Sequence, residues 1–547
     1  MQKEMTKFRN TLLILFLLSV SINVFRMLSW GRPTSEPTFD DISYLLNGSN
    51  LYDMASTQGI TASLIDLLVK GYHSPGMTLI AQLGISIFGR ELGAIYFIFN
   101  LLVALIFLIS LLGISPSLNY ALITFIIFWV GPFGDFAGNN FRPDVLWIIA
   151  ICGATAFAAR YVQRKVFSDF IFFALLFAIS AYFKPSYVLL QFIILITLSV
   201  SFIYFEYRLR SRIKFPTKEI LIINILMIPY YIFYASKAIS YNLSARRSEV
   251  WTEAVSVRAY GVLLRNIANL FKYDLGKFFM FIVIALFIVN TIYFTTRLAK
   301  EFKTSINIFQ MFRDLEKRYL KEIILILNAI LIFFVVGISG YGGSFFGFTA
   351  FFPWLYIMVL LFFRFIKNFD SRFYKNMFMR VTTIITLFTL ILIQALIPVK
   401  GWAKGDMSLK IDKPNEKISQ TLISICELTS LEKIEANVCG SSGPVVIGAS
   451  YINGATIDWY LAQSNSEIRT RWIDNLQNAE SIKLTIQEEK LNVVIILSND
   501  LPSNDVLPQN YARYELNDYY QKSTNWKNVI LDESLSEYVN IYYRNFT

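Results

Sequence analysis

HSPGMTLIAQLGISIFG, residues 73–89, decides how the chain is threaded. It is apolar and only just long enough to cross a ~30 Å hydrocarbon core, yet it opens on Pro75 and Gly76. If it crosses, Arg142 and Asp144 of NNFRPD fall on the N-terminal side of the membrane and the basic run RYVQRK, residues 160–165, falls opposite. If it lies flat, RYVQRK returns to the N-terminal side. Lys and Arg are retained in the cytoplasm during insertion, so charge bias selects the flat placement.

The composition around that stretch is that of a membrane protein. Of 547 residues 55% are hydrophobic and 16% charged, with a mean hydropathy of +0.49; soluble domains carry roughly a quarter charged residues. Residues 11–29, preceded by Lys3, Lys7 and Arg9, read as an uncleaved first helix with a cytoplasmic N-terminus, Arg26 and Trp30 marking its interfacial end. The later spans are approximately 93–113, 120–133, 145–161, 168–183, 186–206, 219–238, 277–297, 322–341, 345–363 and 381–398. The expected fold class is a polytopic α-helical membrane protein with about 11 transmembrane helices. Its inner segments hold about 23 Lys and Arg in about 78 residues, its outer loops about 10 in about 100. Insertion bias accounts for the net charge of +11, and no nucleic-acid partner is implied.

Two outer loops stand out. The first, 30–92, contains FDDISYLLNG and the only histidine, His73. The second, 239–276, keeps Arg246, Arg247, Arg258, Arg265 and Lys272 against the outer-side trend. It reads equally as an amphipathic helix on anionic headgroups and as a phosphate-binding segment. Arg142 and Asp144 sit at the outer end of the 145–161 span, and Lys184 with Pro185 at the next outer turn. After Pro398 the chain turns polar. Helical segments near 415–428, 456–463, 479–490 and 511–522 alternate with GPVVIGA, LNVVIILS, KNVILDE and EYVNIYY, which predicts a small α/β domain over 399–547, outside the membrane. In CGSSGPVVIG the glycines precede the strand, so it is not a phosphate loop. Cys152 lies in an apolar run; Cys426 and Cys439 read either as a disulfide or as two thiols.

Asp40, Asp41, His73, Arg142, Asp144 and Lys184 thus come from separate stretches and share the outer side. No acidic or basic residue is expected deep inside a span, where a transporter's relay would need one. A single histidine leaves only His73 for a Ser-His-Asp arrangement and no clustered ligands for zinc. Carboxylate chemistry remains: an aspartate takes the proton of an acceptor hydroxyl while cations stabilise a departing phosphate. Each residue also has a plainer reading. Asp40 and Asp41 cap a helix starting near Ile42, although one residue suffices; Asp144 after Pro143 caps another; Lys184 snorkels; His73 orients the turn at Ser74 and Pro75.

FDDISY, with Asp40, Asp41 and Tyr44, resembles the Asp-Glu or Asp-Asp pair followed by tyrosine in the first outer loop of the GT-C glycosyltransferases, in the branch of the protein O-mannosyltransferases and the lipid A aminoarabinose transferase. HSPGMTLIAQLGISIFG resembles that family's His-Pro-Pro or Lys-Pro-Pro surface helix ending in Phe-Gly. Asp144, Lys184 and GFTAFFPWLYIMVL, residues 347–360, resemble further family features.

The resemblance implies a GT-C membrane domain over 1–398 and an extracytoplasmic domain over 399–547. The activity it implies is transfer of a sugar from a polyprenyl-phosphate-linked donor to a lipid, glycan or protein acceptor on the outer face. Asp40 is then the general base, and Asp41 orients the acceptor or, with Asp40, a divalent cation such as Mg or Mn. Tyr44, His73, Arg142 and Asp144 contribute to donor and acceptor binding, and Lys184 with Arg246, Arg247, Arg258 or Arg265 holds the donor phosphate. A lipid or glycan transporter and a non-catalytic membrane scaffold presenting the C-terminal domain are the alternative readings.

Overall fold

The structure is a computed structural model that describes residues 2–30, 40–70, 74–139, 141–210, 216–237, 239–240, 259–304, 319–339, 344–367, 377–396 and 414–429. In the C-terminal part it describes 435–439, 445–447, 450–452, 454–464, 469–472, 483, 493–497, 516, 518–529 and 539–544. The chain divides into two units, one of Met1–Gly31 with Leu51–Trp402 and one of Arg32–Asn50 with Ala403–Thr547.

Up to residue 396 the described chain is helical: α1 (Gln2–Trp30), α2 (Asp40–Gln58), α3 (Ile60–Lys70), α4 (Pro75–Phe88), α5 (Leu92–Ile114), α6 (Leu118–Trp129), α7 (Pro132–Asn139), α8 (Pro143–Arg164), α9 (Phe167–Phe183), α10 (Val188–Arg210), α11 (Thr217–Tyr230), α12 (Ala259–Asn269), α13 (Gly276–Thr304), α14 (Leu320–Ser339), α15 (Ser344–Lys367) and α16 (Met377–Leu396). Among the described residues nine helices are long and apolar enough to cross a membrane, or ten if a bent pair counts as one span. This is a polytopic helical membrane protein.

The count differs from eleven for two physical reasons. The expected 120–133 span is broken: α6 and α7 meet at 86°, where Gly131 and Pro132 interrupt the helix. And α9 has 17 residues, about 25 Å at 1.5 Å per residue, which falls short of a ~30 Å core. At 14 residues, α4 is about 21 Å long, shorter still. Pro75 starts it, and Gly89 at φ 80° ends it.

Burial separates centre from rim. In α8, 89% of the membrane window is buried, against 22% for Thr217–Ala235 and 17% for Phe279–Thr296. The centre is built on small residues: a Cβ on Gly113 would lie 2.9 Å from Ala156, and one on Gly153 2.4 Å from the Ser110 hydroxyl, so α5 and α8 approach closely in the small-residue mode of membrane helices. Phe107, Phe125, Trp129, Phe133 and Phe352 fill the adjoining space with ring contacts. On the rim Ile14, Leu17, Leu221, Ile232, Phe281 and Phe287 are exposed, a surface that acyl chains solvate and water does not.

Polar contacts sort the helix ends of the first unit into two sets. In one set Arg160 pairs with Asp169 at 3.1 Å, Lys165 with Glu206 at 2.8 Å, Arg380 with Glu4 at 3.1 Å and Arg364 with Glu322. Tyr161 donates to Glu219 at 2.7 Å. The hydrogen bond from Arg380 holds the exposed Glu4 carboxyl below the usual carboxylate range. The other set holds Arg26 with Asp135 and the contacts around Lys184.

In the second unit, helices α17 (Pro414–Thr429) and α18 (Gly454–Gln463) accompany a five-stranded mixed sheet, β4-β1-β5-β7-β6, and a β2-β3 hairpin. The strands are β1 (Glu435–Cys439), β2 (Val445–Ile447), β3 (Ser450–Ile452), β4 (Arg469–Trp472), β5 (Val493–Leu497), β6 (Trp526–Val529) and β7 (Val539–Arg544). β1 runs parallel to β4 and β5, and β7 antiparallel to β5 and β6. LNVVIILS supplies the central strand, while GPVVIGA supplies the separate hairpin. The expected helix over 479–490 lies outside the described residues apart from residue 483, as do the side chains of Cys426 and Cys439.

Candidate functional site

A polar cluster of the first unit forms where α8 begins and α9 ends. Arg142 takes the N-cap position of α8, Pro143 follows at N1 and Asp144 lies in the first turn, where partial positive charge on the free N–H groups stabilises a carboxylate. Lys184 closes α9 and opens a 3-10 turn, Pro185–Tyr187. That turn carries Lys184 Nζ to 3.3 Å from Asp144 Oδ2 and the Tyr187 hydroxyl, as donor, to 3.2 Å from Asp144 Oδ1. Trp147 packs on Tyr187 with ring centroids 4.5 Å apart. Asp144 and Lys184 are both buried. The pair joins two of the residues selected from the sequence, and it ties up the lysine that a snorkelling role would leave in the headgroups.

Helices α3 and α4 are held to this end. Ser74 donates to the Phe183 carbonyl at 2.5 Å, and a Cβ on Gly76 would lie 2.5 Å from the Phe183 ring, so α4 begins directly against the end of α9. Tyr234, in the π-helical segment Tyr231–Ala235 that continues α11, donates to the Leu67 carbonyl. Lys237 donates to the Val69 carbonyl at 2.7 Å. Tyr230 donates to the Pro185 carbonyl at 3.0 Å. The C-terminal carbonyls of α3 thus find donors from the segment that continues α11, and Tyr230 at the end of α11 bonds the Lys184 turn. Gln82 of α4 donates to Ser63 of α3 at 2.8 Å and to the Leu51 carbonyl of α2 at 3.4 Å.

Sequence reasoning passes over several of these groups. Arg90, two residues before α5, pairs with Asp53 and lies over the Tyr52 ring. The signal for it was a lone arginine just ahead of an apolar run. Arg26 was expected at an interface, but it is 3% exposed and bonds Asp135 at 2.9 Å. Asn23 donates to the same carboxylate at 3.3 Å and accepts from Asn100 at 2.7 Å. A Cβ on Gly138 would come within 2.4 Å of Asn100, so only glycine lets α7 reach this network. Arg26 thus lies near the end of the Thr6–Ser29 span, with its charge met by Asp135 of α7.

Asp40 opens α2 and belongs to the second unit with Asp41 and Tyr44. Asp41 and Tyr44, three residues apart on one helical face, are 2% and 1% exposed. The helix starts at Asp40, two residues ahead of the expected Ile42. His73, Arg246, Arg247, Arg258 and the side chain of Asp40 lie outside the described residues. Arg265 is exposed on α12, whose opposite face, Val262, Leu263 and Asn266, is buried. In the late helix, Pro353 sits inside α15 and the Tyr356 hydroxyl donates to the Ser110 carbonyl in the core. Among the described residues no three His, Cys, Asp or Glu side chains gather as metal ligands.

Fold and site define a polytopic helical membrane protein with a buried acid–lysine pair at one set of helix ends. No family model and no curated protein matches the chain.

Proposed function

We propose that the protein is an integral-membrane glycosyltransferase of the GT-C type, moving a sugar from a polyprenyl-phosphate-linked donor to a lipid, glycan or protein acceptor on the extracytoplasmic face. The observation that carries this reading is the Lys184–Asp144–Tyr187 cluster, with α3 and α4 stapled around it at one end of the first unit. A reaction at a membrane surface needs a cation held rigidly near a phosphate leaving group, and preorganised charge of this kind costs no reorganisation when the bond breaks.

In this reading Asp40 takes the proton of the acceptor hydroxyl, and that oxygen attacks the sugar's anomeric carbon as the bond to the donor phosphate breaks. Asp41 and Tyr44 orient the acceptor or, with Asp40, a Mg or Mn ion. Lys184, with Arg142 and the arginines of 239–276, receives the phosphate; Asp144 and Tyr187 fix the lysine, and His73 orients the start of α4. The cluster end faces outward because the ion-paired set of ends carries the basic loops. Membranes supplied with a polyprenyl-phosphate sugar should lose transfer in the Asp40→Asn variant at unchanged protein abundance. Retained transfer sinks the assignment.

One observation favours a second reading, a lipid or glycan transporter. A sharply bent helix pair beside buried Arg26 and its half-buried partner Asp135 has the form of the broken helices and intramembrane charges of carriers. Cargo movement without bond cleavage, abolished by Asp135→Asn, would establish it in place of the transferase.

A further inference from the structure

Helix α3 (Ile60–Lys70) buries a polar group and exposes its apolar side. Ser63 is fully buried and accepts from the Gln82 amide at 2.8 Å, with Leu67 buried on the same side. The opposite arc holds Ile60, Leu64, Ile65 and Val69, which are 70%, 45%, 56% and 53% exposed. At 3.6 residues per turn these four, with Thr61 and Leu68, fill about half of the circumference, and no charged residue lies among them. A helix facing water is built the other way round. Apolar side chains outward, with hydroxyl and amide groups paired inward, is the arrangement of a face solvated by lipid. Helix α4 repeats it: Thr78 and Gln82 are buried, while Leu83, Ile87 and Phe88 are exposed.

The depth of α3 is set by a membrane span. Its Leu67 and Val69 carbonyls accept from Tyr234 and Lys237, which flank the end of the span Thr217–Ala235. Ile232, two residues before Tyr234, is 65% exposed, part of the rim that acyl chains solvate. The last turn of α3 therefore lies where that rim ends. Lys70 is exposed there and pairs with Asp66 at 3.0 Å, which suits a basic side chain reaching for headgroups.

We propose that α3 is inserted in the bilayer leaflet at the Lys184 end, lying along the boundary between headgroups and acyl chains with Ile60, Leu64, Ile65 and Val69 among the chains. Lipid is the occupant of this face because the exposed arc is uncharged and continues the apolar rim beside Ile232. Charge bias speaks only to residues 73–89; the insertion of α3 rests on its own exposed face. Tyr230, one turn before Tyr234, donates to the Pro185 carbonyl, so the Lys184 turn lies within roughly 5 Å of that depth along the helix. The insertion stands whether the protein is a transferase or a carrier.

Spin labelling of the full chain tests this. Leu64→Cys, Ile65→Cys and Lys70→Cys are made singly in a background lacking Cys426 and Cys439, where Cys152 is buried. Each is labelled with a nitroxide and reconstituted in vesicles of phosphatidylcholine and phosphatidylglycerol. Oxygen concentrates among acyl chains, and a nickel chelate stays in water. The ratio of oxygen to nickel collisions should be at least about threefold higher at positions 64 and 65 than at 70, for a face buried about 5–10 Å into the boundary. A smaller difference would leave the face in water and overturn the proposal. Labels at 64 and 65 that neither reagent reaches would overturn it as well, since a second copy of the chain would then cover the face. Ile60→Cys and Val69→Cys, on the same arc, give the same reading if either first position does not accept the label.

Discussion

Asp144 and Lys184 are the residues on which the site turns, and their pairing separates structure from chemistry. Both are buried and 3.3 Å apart. Removing one charge leaves the other uncompensated, which costs about 3–5 kcal/mol, whereas removing both together is often close to neutral. Asp144→Asn and Lys184→Met should therefore each lower the thermal midpoint in detergent, and the double variant should recover most of the loss. Transfer should follow a different course: if the lysine holds a phosphate, the double variant stays inactive while its midpoint recovers. A single variant that melts like the parent removes the pair from the account of stability. An active double variant removes Lys184 from the chemistry.

At the scale of the element, α4 and the bend between α6 and α7 show what local sequence carries and what it does not. Pro75 at the start of α4 and Gly89 at its end are local facts, so its bounds are legible. Residues 73–89 alone are just long enough to cross, and only the charge of distant loops lays them flat. The bend between α6 and α7 is not local in that way. Gly131 and Pro132 mark a break in any reading, but the direction of α7 depends on Arg26 and Asn23 of α1 and Asn100 of α5, more than a hundred and more than thirty residues away. Strands β1 and β4 were missed for a related reason, since EANVC alternates over only four residues and RTRW has a single apolar residue, and they become strands by pairing, β1 with β5 and β4 with β1. The seating of α4 yields its own prediction. A Cβ on Gly84 would lie 2.8 Å from the Ile95 Cα, whereas one on Gly261 in α12 meets nothing within 4 Å. Gly84→Val should destabilise by about 1–3 kcal/mol through overpacking against backbone. Gly261→Ala should be neutral or stabilising by up to about 1 kcal/mol. Thermal midpoints of the two variants check this, and a Gly84→Val protein as stable as the parent contradicts the wedge of α4 against α5.

For the whole molecule the decisive property is which set of helix ends faces the cytoplasm. The contacts fix the sets without fixing the side: Arg160, Lys165, Arg364 and Arg380 pair with carboxylates at one set, and Asp144, Lys184, Tyr230 and Ser74 meet at the other. Charge bias supplies the side, because each ion pair at the first set stands next to a loop rich in Lys and Arg that resists translocation. The ion pairs themselves do not supply it, since pairing neutralises the charges that remain there. Single cysteines introduced in a background lacking Cys426 and Cys439 separate the two orientations. Replacements of Glu91 and Ser236, both exposed and near the Lys184 end, should react with a membrane-impermeant maleimide in intact cells. Replacements of Arg164 and Lys218 should react only after permeabilisation. The reverse pattern would turn the Lys184 cluster toward the cytoplasm, where a cytoplasmic nucleotide-activated donor would have to replace the polyprenyl-phosphate sugar. Labelling of all four positions from one side would break the division into two sets of ends and, with it, the flat placement of residues 73–89 from which the threading follows.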